Sequence, residues 1–69
     1  MTFDAFKGYV TDVLARLVKV CIQKHMTSGR ALGVMKWART QSRVIWNSFE
    51  AGEPIDDVAA ALFNLSAKG

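Results

Sequence analysis

Hydrophobic residues recur along residues 3–25 at Phe3, Phe6, Val10, Val13, Leu17 and Val20, in steps of 3, 4, 3, 4 and 3. That spacing predicts an α-helix with a seam for a packing partner. A second stripe runs beside the first, made of Leu14, Val18, Cys21, Ile22 and the ring of His25. At about 100° per residue the two stripes cover more than half of the helix circumference. A helix that packs on one neighbour needs a narrower band. Helix 1 is therefore expected to meet a third helix and a second copy of the chain. Leu14, Val18, Cys21 and Ile22 are the expected oligomer interface of a homodimer.

Two punctuation points divide the rest. Thr27-Ser28-Gly29 places two N-capping residue types before a glycine. Gly52-Glu53-Pro54 pairs a glycine suited to the left-handed position after a helix with a proline suited to the start of the next. The spacing predicts helices over about 3–25, 29–51 and 54–66. The first two are each roughly 35 Å long at 1.5 Å per residue, so they are expected to fold back as an antiparallel hairpin. The second carries a matching seam at Ala31, Met35, Ala38, Ser42, Ile45 and Phe49. Its small central residues favour close approach, and Phe3 and Phe6 are expected near Ile45 and Phe49. The third shows one apolar face, Ile55, Val58, Ala59 and Leu62, with Asp56 and Asp57 in its first turn, where the helix dipole favours negative charge. The fold class is all-α: a two-helix hairpin plus a short C-terminal helix, dimerising into a bundle.

Size explains why self-association enters. With 69 residues the chain is one domain, residues 1–69, with a small core. One cysteine excludes an internal disulfide. A hydrophobic content of 51% is generous for such a chain, and a second copy is the simplest way to bury the excess. No run reaches the roughly 18 apolar residues of a membrane span, and no signal peptide is apparent, so a cytoplasmic protein is expected.

The net charge of +3 is unevenly spread. Residues 27–52 hold Arg30, Lys36, Arg39 and Arg43 against Glu50, whereas residues 53–69 hold Glu53, Asp56 and Asp57 against Lys68. Candidate chemistry is thin. Cys21 and His25, four apart, have the spacing of half a zinc site or of a thiol with its base. Both also fit the apolar stripe, and no carboxylate stands ready to orient the histidine. The carboxylates show neither an acid–base pair nor a calcium-loop spacing, and no glycine-rich phosphate loop is present. No enzymatic activity, metal or cofactor is expected.

The informative surface is the outside of helix 2. Lys36, Arg39 and Arg43 are spaced 3 and 4 apart, which on one continuous helix makes a basic ridge. Trp46 and Leu32 flank it, and Trp37 lies across the core seam. Arginine and tryptophan are enriched among interface hot spots and pair by cation–π contact. The expectation is a small regulator or inhibitor that binds another protein through Lys36, Arg39, Arg43, Trp46 and Trp37. A nucleic-acid-binding protein using Lys36, Arg39 and Arg43 is the alternative, but three basic residues give modest affinity at physiological salt. An oligomer that sequesters a small ligand between protomers is a further one. Small regulatory proteins of bacteria and phage share this build, an analogy of size and class alone.

Overall fold

The structure, a computed structural model, describes residues 3–68. Among them are four α-helices and no strand: α1 (Phe3–Gln23), α2 (Ser28–Arg39), α3 (Ser42–Glu50) and α4 (Ile55–Lys68). The described part of the chain is all-helical, as its periodicity predicts. The single domain expected over 1–69 extends to Met1, Thr2 and Gly69, which lie outside the described residues.

Local chemistry sets the ends of the helices. α1 closes before residue 25 because the chain turns into a Schellman motif. The Met26 N–H donates to the Cys21 carbonyl at 3.1 Å, and the His25 N–H donates to the Ile22 carbonyl at 3.0 Å. His25 takes the left-handed position, with φ of +57°. It is therefore exposed outside α1 and not part of the second stripe. Glycine adopts this conformation without the clash a Cβ brings. His25→Gly is expected to stabilise the fold by about 0.5–1 kcal/mol, read as a rise of a few degrees in Tm. A lower Tm would mean that the imidazole makes a stabilising contact.

Thr27 caps α2, its Oγ1 accepting from the Arg30 N–H at 3.3 Å. The α3–α4 junction repeats the α1–α2 solution with the residue that favours it. Gly52 has φ of +72°, and the Glu53 N–H donates to the Ser48 carbonyl at 3.0 Å. Pro54 immediately precedes α4, its carbonyl accepting from the Asp57 and Val58 N–H groups.

The expected long second helix is instead two helices. The chain breaks at Thr40 and Gln41, inside the predicted 29–51 segment. The Trp37 carbonyl accepts both the Thr40 N–H at 2.9 Å and the Thr40 Oγ1–H at 2.6 Å. The Gln41 N–H then donates to Ala38, three residues back, at 3.0 Å. A side-chain hydroxyl has competed for the backbone acceptor and tightened the last turn. α3 restarts with Gln41 as its N-cap, at φ −97° and ψ +36°. The predicted seam is interrupted too, since Ser42, opening α3, is exposed.

The core is formed by Val13 and Leu17 of α1, Ala38 of α2, Ile45 of α3, and Val58, Ala59 and Leu62 of α4. Ala38 and Ala59 are fully buried, and their small side chains let the helix backbones approach. α1 packs more extensively on α4 than on α2 or α3. Thus α4, expected as an accessory, is α1's main neighbour. The Tyr9 hydroxyl donates to the Glu53 carbonyl at 2.8 Å, and Arg16 Nε lies 2.8 Å from the Asp56 carboxylate. The tyrosine fixes α1 to the turn before α4. The ion pair is open to water and contributes under about 1 kcal/mol.

Candidate interaction surface

The N-terminal half of α1 is joined to α3 by four rings. Phe6 meets Trp46 edge-on at 4.8 Å between centroids and lies 5.5 Å from Phe49. Phe49 in turn lies 5.2 Å from Tyr9 and 5.6 Å from Trp46. Such tilted pairs add about 0.5–1.5 kcal/mol each to the burial they accompany. Phe6 thus reaches Phe49 as the sequence predicts. Phe3 does not share in the core, being 73% exposed.

This cluster leaves the Trp46 indole at the edge of the fold, 37% exposed. Phe6, Ser42, Arg43, Trp46 and Asn47 line an open hollow of about 600 Å³ there. An arginine and a partly open indole therefore share one depression. Arg43 stands in the first turn of α3, one residue after its start.

The other expected site residues are distributed differently from the sequence reading. Lys36 and Arg39 are exposed on α2, while Arg43 belongs to α3. The break at Thr40 and Gln41 lies between them, so spacings of 3 and 4 no longer place all three on one ridge. Trp37 is half-buried against the core and lines a second depression, between α2 and α4. The two tryptophans therefore serve different concavities. Sequence reasoning missed the company Trp37 keeps: Lys24, Arg30 and Phe63 line the same groove. Arg30, Val34 and Trp37 are spaced 4 and 3 apart, which was a readable signal for one helix face.

The expected oligomer interface also divides. Leu14 is half-buried, Val18 is 37% exposed and Ile22 is 67% exposed. Cys21 is wholly covered by its own chain and has no surface to offer a second copy. It points inward because it lies four residues beyond Leu17, on the core line of α1. Its burial pushes the thiol pKa up, which disfavours the thiolate needed for nucleophilic or metal-binding work. Cys21 and His25 accordingly present no shared face. Among the described residues no group of three or more His, Cys, Asp or Glu stands close enough to hold a metal ion. The Tyr9 hydroxyl is likewise raised above its ordinary range, chiefly by burial and then by the Glu53 charge. Among the described residues, no helix is long and apolar enough to cross a membrane. Comparison with protein-family models, with curated proteins and with solved structures finds no match to the chain.

Proposed function

We propose that this chain is a non-enzymatic binding module, a regulator or inhibitor that engages another protein through the Arg43–Trp46 hollow, with the exposed cations Lys36 and Arg39 of α2 as further contacts. The observation that carries this reading is the hollow itself. Arg43 and Trp46 both line it, and the indole packs against the Phe6 and Phe49 rings. A preorganised aromatic with a charged neighbour gives affinity at small entropic cost. The partner surface that complements it carries an apolar side chain next to a carboxylate. A second copy of the chain is proposed to cover the strip of α1 at Leu14, Val18 and Ile22. Nucleic acid fits less well, because the helix break divides the basic residues between α2 and α3 and leaves no continuous charged ridge for a phosphate backbone.

Arg43→Glu separates these readings without threatening the fold. A carboxylate in the first turn of α3 is favoured by the helix dipole. Immobilised wild-type chain is expected to retain a defined protein from nuclease-treated host lysate, and the variant to retain at least about tenfold less of it. Equal retention by both chains would refute the hollow as the docking site. Loss of capture on nuclease treatment would assign the surface to nucleic acid.

A further inference from the structure

A second site stands on independent observations at the end of the molecule where α1 closes, α2 begins and α4 ends. An open groove of about 630 Å³ lies there between α2 and α4. This falls in the range of small-molecule sites, roughly 300–1,000 Å³. Its walls are apolar and aromatic, with Val34 and Trp37 from α2 facing Phe63 from α4. Lys24, in the turn after α1, and Arg30, in the first turn of α2, line it as well. Among the described residues no acidic side chain lines it and neither cation has an ion-pair partner. α2 begins here while α1 and α4 end, and the two full charges of Lys24 and Arg30 exceed the partial charges of about half an elementary charge at each helix terminus. The two side chains therefore set the sign of the local field.

We infer that this groove binds a small amphiphilic carboxylate, its acid group held by Lys24 and Arg30 and its hydrocarbon body laid along Val34, Trp37 and Phe63. Charge complementarity selects the anion. A guanidinium donates two parallel hydrogen bonds to a carboxylate, and a nearby ammonium adds a third donor. The aromatic walls select an apolar body. Length selects a short one: Arg30 and Trp37 are seven residues apart on α2, about 10 Å at 1.5 Å per residue. Gly33 lines the groove. A Cβ built there meets nothing within 4 Å, so the space beside it is empty of protein.

The test uses the whole chain with Trp46→Phe, which leaves Trp37 as its one indole. The probes are octanoate and its uncharged counterpart octanol, followed by Trp37 fluorescence. Octanoate is expected to give a saturable change, with octanol at least about tenfold weaker. Arg30→Glu, which places an acid where the α2 dipole tolerates it, is expected to weaken octanoate by a similar factor and leave octanol unchanged. Gly33→Phe fills the groove from an unobstructed position and is expected to abolish binding of both with the helical circular dichroism intact. The proposal is overturned if octanoate gives no saturable change, if the two probes bind equally, or if a folded Gly33→Phe chain binds octanoate like its parent. Should Gly33→Phe fail to fold, the Arg30→Glu comparison decides alone.

Discussion

Leu17→Ala is expected to lower the stability of the chain by about 2–5 kcal/mol. Leu17 is fully buried and is among the largest side chains that are. It lies in the cluster where α1 meets α2, α3 and α4, packed with Val13, Ala38, Ile45, Val58, Ala59 and Leu62. Truncating a buried leucine loses its transfer free energy and leaves a cavity, together about 2–5 kcal/mol. At roughly 0.05–0.15 kcal/mol per residue, a domain of this size has only about 3–10 kcal/mol in total. One truncation therefore removes a large share of the stability. Urea titration followed by circular dichroism measures it, as a large drop in midpoint at unchanged slope. Leu32→Ala is the control, because Leu32 is 62% exposed and its loss costs within about 0.5 kcal/mol. Similar midpoints for the two variants would contradict the placement of Leu17 at the centre of the core.

What the sequence disclosed and what it withheld follow from where each interaction is formed. Thr27 and Gly52 announce their turns because the capping oxygen and the missing Cβ act within a few residues. The core lines of α1 and α4 are readable for a similar reason: Val13 and Leu17, or Val58 and Leu62, are four apart and share a face. The break at Thr40 and Gln41 is masked by a seam that continues in register from Ala31 to Phe49. The polar run Thr40-Gln41-Ser42 was the available signal, since a threonine hydroxyl competes for helix carbonyls. His25 carried no signal, because a histidine in the left-handed region is uncommon and its ring also suits an apolar stripe.

The surfaces were less legible than the core. The width of the apolar band on α1 correctly implied several neighbours, but not that α4 would be the main one. Along the sequence the second stripe is uniformly apolar, whereas α1 sends Cys21 inward and leaves Val18 and Ile22 outside. Arg43 and Trp46 are close enough in sequence to be read together, yet the hollow needs Phe6 from α1. The Trp37 groove needs Phe63 from α4 and Lys24 from beyond α1. Such convergence is tertiary, and no window of local sequence contains it.

Val18 and Ile22 lead to the second large effect. Val18 is 37% and Ile22 67% exposed on the folded protomer, and covering that remainder recovers the corresponding share of the roughly 1.5–3 kcal/mol that full burial of an aliphatic side chain is worth. Lysine at these positions keeps α1 intact, since lysine is a good helix former and Ile22 stands in the last turn, where the dipole favours a cation. Sedimentation equilibrium of the wild-type chain and of the Val18→Lys/Ile22→Lys chain, at tens of micromolar, reads the consequence directly. The wild type is predicted to show twice the chain mass of 7.6 kDa, and the double variant 7.6 kDa with unchanged helical content. A wild-type chain that sediments as a single copy would show that α1 needs no second copy to cover it, and the proposed assembly would be wrong.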